Sequence, residues 1–489
     1  MTGGSEGTRH DLRKRRNVLL TRDLGPRDYG FPGHTIQCRA IGPEVIISTA
    51  QTTQKRRWTG EVIPKKGYPR SWTKHIWKNE VLHDPVLADL NEMNEDPDLA
   101  KILGLFRRTT GDPAFDQRVI DGNIQRLETT PAIDTGHAHL DLCVKTGLAF
   151  IDATFQGDHP KYGVKGYGAN AHDGFPPTII AAIDALSAWG MCVRAKQLFR
   201  YWLGGFVRED GTIRYYGPSI SEYGQLLHTA ALLEERGDPE DWWDTGFEAL
   251  DRLAEHLLGL RHEAESGDGL ILGCPEADIK KSGDGTYFHN NAWAVKGLRR
   301  WADLCERLAA SPTTEIRVVR GTADALAADT LAAIGRTWPE DPNDWWLPPQ
   351  TEPVQRPACL TATQTSSYTN YRYWPELLSS DLLPDEMANR VVDSRLSAGG
   401  QFCGMTRFAT VLDDWPLADY LYGLWALGRK RDFLLSLYGH VAYHQAEGHL
   451  TAYESVTLPN RPQQRPFREN AAYCLPSQLV PVRAARLLL

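Results

Sequence analysis

Two carboxylates, Glu276 and Asp278, stand in the Gly- and Pro-rich stretch GLILGCPEADIKKSGDGTYFHNNAWAVKGL at residues 269–298, between two helix-like segments. Just downstream come Tyr287, His289, Asn290, Asn291 and Trp293. Their rings can stack on a sugar face, and their amides and imidazole can hydrogen-bond its hydroxyls. Near the C-terminus another acid, Glu454 in HLTAYESV, follows Tyr453 in a loop after a helix-like segment. Cleaving a glycosidic bond needs one carboxylic acid to protonate the leaving oxygen and one carboxylate to activate water or attack the anomeric carbon. Glu276 or Asp278, paired with Glu454, has the required chemistry. With 62 acidic residues in the chain, the pairing also needs a scaffold that brings the two loops together.

The apolar periodicity supplies helices for that scaffold. After Pro176 and Pro177, the residues Ile179, Ile183, Leu186, Gly190 and Val193 recur at four- and three-residue spacing, which predicts one amphipathic helix. Stripes at Phe247, Leu250, Ala254 and Leu257, and at Trp293, Gly297, Trp301 and Leu304, predict two more. The segments 326–334, 420–425 and 433–438 continue the series, and 140–150, 222–235, 385–396 and 476–488 are helix-compatible. Ten or more helices are therefore expected in the C-terminal four-fifths, with few strands. The long connections, 156–175, 206–222, 262–289 and 338–374, are rich in Gly, Pro, Tyr and Trp, which points to functional loops rather than disorder. Short and long connections alternate, which suggests a toroid of helical hairpins around a pocket; a bundle or solenoid would share the periodicity, and no strict repeat is present. Residues 1–95, with the β-branched run EVIIST at 44–49, are expected to form an N-terminal extension of loop and short strands, and 96–489 the catalytic domain.

The order GLI, a Pro-containing acidic loop, then TYFHNNAWAVKGLRRWADL resembles the fifth-to-sixth helix connection of the six-hairpin glycosidases, the glucoamylase, trehalase and glycogen-debranching type. The resemblance covers roughly residues 130–489 as a pattern of helices. It implies an all-α dominant (α/α)6 toroid and a glycoside hydrolase with an inverting acid/base mechanism, exo-acting on an oligosaccharide or glycoside. By the same resemblance Glu276 is the general acid and Glu454 the base, and no metal or organic cofactor is needed. PEAD stands where glucoamylases carry a tryptophan beside the acid and where trehalases place Asp after a Gly-Trp pair, so Asp278 remains a rival for the acid.

Supporting residues follow. Asn170, His172 and Asp173 lie in GYGANAHDGFPP, a loop that in the resembled family binds the sugar at the cleavage site; Asp173 also suits a helix N-cap. Arg214 and Tyr216 precede GPSISEYGQLL, in which Glu222 fits either a ligand contact or the positive end of a helix dipole. Tyr368, Tyr371, Tyr373 and Trp374 can stack on sugar faces, although core packing also uses such rings. Asp413 and Asp414 offer a third carboxylate able to steer an attacking water, or caps for a helix beginning near Pro416.

Competing chemistries are visible. PAIDTGHAHLD resembles the start of an amidohydrolase, in which His137 and His139 on a strand would point to one face as metal ligands. His289 with Tyr287 or Tyr453 suits a polysaccharide lyase, with Arg214 binding a uronate; an unsaturated uronyl hydrolase and a non-catalytic sugar-binding protein are neighbouring readings. Composition narrows the partners. The net charge of −8 argues against a general nucleic-acid binder. No run of about 18 apolar residues exists to span a membrane, and the N-terminus lacks a signal-like apolar region, so a cytoplasmic location is expected. Eight scattered cysteines with no C-x-x-C pair suggest reduced thiols.

Overall fold

The computed structural model describes residues 129–489 apart from 150, 155–158, 164–171, 238–242, 265–266, 277–282, 446–449, 458–466 and 470–473, together with the backbone of four strands nearer the N-terminus. The chain divides into two compact units, 1–130 with 152–156 and 163–171, and 131–151 with 157–162 and 172–489. The boundary expected at 95/96 lies outside the described residues. In the first unit, β1 (Arg27–Asp28), β2 (Thr35–Ile41), β3 (Glu44–Thr49) and β4 (Thr53–Arg57) form an antiparallel meander in chain order. The β-branched EVIIST is β3, as its composition favours.

In the second unit six helices form a closed ring. Pro176–Ala188 packs on Ile220–Arg236, which packs on Phe288–Arg307, and the ring continues through Trp374–Ser379 and Leu417–Ala426 to Val480–Ala485, which returns to the first. Outside each lies a partner. Ala138–Ala149 packs on the last ring helix, and Cys192–Phe206, Trp243–Ala264, Ile316–Thr337, Asp385–Ser397 and Lys430–Gly439 pack on the ring helices that precede them. Outer and inner helices alternate along the chain, so six hairpins close into an (α/α)6 toroid. Ring helices are buried on most sides, as Pro176–Ala188 is from Pro176 to Ile183; outer helices bury one apolar stripe, which the periodicity records.

Local chemistry sets the boundaries. Pro176 and Pro177 open their helix at its first positions. Gly190, at φ +78°, ends it in the left-handed region, with its amide bonded to the Ser187 carbonyl. The single helix expected through Val193 is therefore two, and Val193 lies 61% exposed on the next one. Ile220–Arg236 and Phe288–Arg307 cross with Gly224 against Gly297, where a Cβ on Gly224 would collide with the Trp293 carbonyl and one on Gly297 with the Gly224 backbone. Gly224→Ala should thus destabilise the toroid by about 1–3 kcal/mol or more through overpacking, read as a lower denaturant midpoint at unchanged slope; an unaltered midpoint would show that the helices can separate without cost.

Two expectations are corrected. The helical four-fifths also contains a five-stranded antiparallel sheet, β5 (Gln401–Phe402), β6 (Met405–Phe408), β7 (Val411–Asp413), β8 (Ser455–Thr457) and β9 (Phe467–Glu469), in chain order. Strands of two to four residues are too short to show alternation, and Met405, Leu412 and Val456 form the sheet's small core. The PAIDTGHAHLD stretch enters the helix Ala138–Ala149 instead of a strand, so it lacks the strand geometry that places His137 and His139 on one face as metal ligands. His137 packs instead against the Tyr438 ring, 5.2 Å away. No described helix is long and apolar enough to cross a membrane, and the seven cysteines described are free thiols.

Candidate active site

The helix Gln364–Tyr368 widens into a π turn, Thr369–Tyr373, before continuing as Trp374–Ser379. Single π turns inside helices redirect side chains and recur at functional sites. This one carries Arg372, which is fully buried. Its Nε donates to Glu376 Oε1 at 2.6 Å, Nη2 donates to Glu222 Oε1 at 2.7 Å, and Nη1 donates to Glu276 Oε2. The guanidinium also lies over the Trp415 ring, 5.2 Å from its centroid. Three acids from three segments thus converge on one cation, which fixes the acidic loop of Glu276 to the ring helices. Cys274 helps by donating its thiol to the Glu276 carbonyl at 3.1 Å; burial pushes that thiol up to about 11, so it is a packing group and not a nucleophile.

Glu222 has two tasks. Its carboxylate closes a capping box by accepting from Ser219 N at 3.2 Å, and it also meets Arg372. Burial, opposed by Arg372 and reinforced by Glu276, pushes Glu222 up to about 8. A carboxyl whose folded pKa lies above its ordinary 4.5 contributes stability that is complete below that value and lost as pH rises through about 8. Glu222→Gln, uncharged throughout, should therefore flatten the decline of melting temperature between about pH 5 and 8; an unchanged slope would assign that decline to other groups.

A cavity of about 60 Å³ adjoins this cluster. Glu276, Asp413 and Glu454 line it, with walls of Tyr162, Phe175, Tyr368, Tyr371, Phe408 and Trp415, and His172 completes the lining. Tyr162 donates its hydroxyl to Glu454 Oε1 at 3.1 Å. Burial, then the charge of Glu454, holds Asp413 well above the usual carboxylate range. Asp414 turns away, accepting from Thr406 N at 2.8 Å and meeting His440 Nδ1 at 3.1 Å. Neither Asp413 nor Asp414 caps the next helix by a side-chain bond: it starts at Leu417 with Pro416 at the cap. A larger cavity, about 150 Å³, shares only Trp415 with the first. Several of its charges already pair, Asp184 with Arg236 and Arg483 and Lys296 with Asp381, so the smaller cavity is the better reaction site.

The structure brings together Glu276, Glu454, His172, Tyr368, Tyr371 and Asp413 of the residues singled out by sequence. His172 sits at φ +56°, with Nδ1 2.5 Å from the Tyr215 hydroxyl and 3.0 Å from that of Tyr216; a non-glycine residue held there marks a tightly determined position. Tyr216 and Arg214 are exposed, and Tyr453 is half-buried next to Glu454 in the chain. Asn170 and Asp278 lie outside the described residues. Asp173 forms ion pairs with Lys161 at 2.6 Å and His159 at 2.7 Å; burial would raise it, but hydrogen bonds from these groups win and hold it below its usual value.

Other expected sugar contacts have structural partners and do not line this cavity. His289 stacks on Tyr373 with ring centroids 4.4 Å apart, and Tyr287 meets Tyr373 edge-on at 5.2 Å. Asn290 accepts from Ser219 Oγ and Ser221 N and donates to the Cys274 carbonyl, which binds the acidic loop to the start of a ring helix. Trp293 lines the larger cavity under Lys296, and Trp374 is buried with its indole N–H on the Leu347 carbonyl. These bulky groups lie on ring-helix faces that pack against neighbours. Sequence reasoning missed Arg372, Glu376, Tyr162, Phe175 and Phe408. Arg372 and Glu376 had one visible signal, the i,i+4 spacing of a helical ion pair; Tyr162 had none.

The helical toroid is an architecture shared with solved glycosidases. No family model and no curated protein matches the sequence. The chain is similar to a wild-type glycosidase at a TM-score of 0.52 and 13% identity, covering 72% of this chain and 97% of that one. It is similar to a point variant of a glycosidase at 0.52 and 13%, covering 73% and 99%, and to a glycosidase variant in complex with glucose at 0.51 and 13%, covering 72% and 97%. The likeness is one of fold: the helical unit has the six-hairpin toroid of these glycosidases.

Proposed function

We propose that the chain is a glycoside hydrolase in which Glu276 and Glu454 supply the acid/base pair. The observation that carries this reading is the single aromatic-walled cavity lined by both acids, although they come from loops far apart in sequence. Aromatic walls suit a sugar ring, and two carboxyls on one cavity suit protonation of the leaving oxygen and activation of water. Glu276 is the proton donor and Glu454, which accepts a hydrogen bond from Tyr162, is the base. The substrate is a carbohydrate, an oligosaccharide or glycoside, cleaved from its end with inversion and without a metal or organic cofactor. His289, buried against Tyr373, is not among the residues lining the cavity, which weighs against a lyase built on it.

Turnover of a panel of aryl glycosides tests the reading, with proton NMR of the first anomer released. An inverted first product is expected. A retained anomer would replace the inverting mechanism by a nucleophilic one, and an unsaturated product would replace hydrolysis by elimination.

A further inference from the structure

The larger cavity, of about 150 Å³, lies inside the ring, and the reaction proposed above does not use it. Each of the six ring helices contributes to its wall: Ile180, Gln225, Trp293, Ser379, Ala418 and Ala484 come from successive ones. The cavity therefore lies on the axis of the toroid. It reaches from Trp415, just before the fifth ring helix, to Arg236, the last residue of the second. One water needs about 10–15 Å³ on this measure, so there is room for about ten, enough for a six-membered sugar ring.

The charges of the wall are matched within the protein. Asp184 pairs with Arg236 at 2.7 Å and with Arg483 at 2.6 Å, Lys296 with Asp381 at 2.6 Å, and Glu376 with Arg372 at 2.6 Å. Asp419 accepts from Ser379 Oγ at 2.9 Å and lies within the field of Arg483, while Arg486 is exposed. A charged ligand would have to compete with these pairs, whereas a neutral one leaves them in place. Hydrogen-bonding capacity remains in the uncharged groups. Trp293 is 4% exposed, and its indole N–H has no acceptor among the described residues. Nδ1 of His228 has no partner among them either, and burial holds that imidazole neutral, with one donor and one acceptor nitrogen. The two rings meet edge-on, 5.6 Å apart, so these groups are neighbours on the wall. Buried polar atoms without partners are rare, and both belong to residues lining the cavity. Trp415 and Tyr422 add ring faces suited to a sugar, and Tyr422, 38% exposed, carries the lining out to the surface.

We propose that this axial cavity is a second binding site, apart from the catalytic acids, for a neutral ring-sized polyol: a free monosaccharide or a cyclitol. Such binding needs no turnover, so it is independent of the hydrolase reading above.

Calorimetric titration with myo-inositol and a panel of free monosaccharides tests this, with sulfate as the charged probe. myo-Inositol has no anomeric carbon and so does not imitate a product of hydrolysis. At least one of these polyols should bind saturably with a Kd of about a millimolar, the affinity that about a dozen non-hydrogen atoms reach at modest efficiency. Trp293→Phe keeps an aromatic ring and removes the N–H, and should weaken that binding about three- to tenfold. Ala418→Leu, whose added carbons occupy the cavity, should weaken it by about tenfold or more. Glu454→Gln, in the other cavity, should leave it within about twofold. No saturable binding of any polyol, equal affinity in the wild type, Trp293→Phe and Ala418→Leu, loss of binding in Glu454→Gln, or binding of sulfate in place of the polyols would each overturn the proposal. Where Ala418→Leu does not fold, Trp293→Phe decides by itself.

Discussion

Glu276→Gln should lower kcat by about 10²–10⁴-fold on glycosides with poor leaving groups, the usual worth of a positioned acid or base. The substitution keeps the shape of the side chain and removes its ability to exchange a proton, together with the charge it offers Arg372. Because a proton donor assists bond breaking in proportion to the basicity of the departing oxygen, the loss should shrink on activated aryl glycosides, whose leaving groups depart with little help. Equal losses on both kinds of substrate would remove Glu276 from the donor role. Full activity of both Glu276→Gln and Glu454→Gln would remove the reaction from this cavity altogether. The comparison is sharpened by Arg372, because Glu276 is also one of its three partners. A stability measurement on Glu276→Gln therefore accompanies the kinetics.

Arg372→Met should have the largest effect on stability. The side chain is fully buried among Glu222, Glu276 and Glu376. Deleting one member of a buried ionic cluster costs about 3–5 kcal/mol, mainly because the remaining charges are left without compensation. Its pH dependence is diagnostic. Without the cation Glu222 and Glu376, which burial already raises, ionise less readily still, so the variant should recover part of its deficit as pH falls and they take up protons. Denaturant unfolding at acid and mildly alkaline pH checks this. A deficit that stays constant with pH would show that lost packing against Trp415, and not uncompensated charge, is responsible.

The sequence made the helices legible because burial of a helix leaves a period. The stripes from Phe247 to Leu257 and from Trp293 to Leu304 correspond to the helices Trp243–Ala264 and Phe288–Arg307. The same logic failed where the feature was local geometry. Val193 continued the spacing of Ile179 and Ile183, but a left-handed Gly190 resets the chain between them. The strands β5–β9 were missed because two to four residues hold no period, and the π turn at Thr369–Tyr373 was missed because one extra residue per turn leaves no compositional trace. In the site, residue type alone ranked aromatic and amide groups of one segment together, and packing then separated them. Asn290 became a loop anchor and Trp293 a wall of the other cavity, while Phe408, from strand β6, lines the cavity with the acids.

By itself, then, the chain's sequence determined a series of amphipathic helices, suggested that they close into a toroid, and nominated Glu276 or Asp278 with Glu454, since helix periodicity and residue type are carried by neighbouring residues. Only the tertiary structure decided that Glu276 and Glu454 face one cavity, that Asp413 joins them through the register of β7 with β8, and that Arg372 binds Glu222, Glu276 and Glu376 into one cluster. The physical reason is range. Helix periodicity is written over tens of consecutive residues, whereas charge interactions depend on separations of a few ångströms between side chains that closure of the ring brings together.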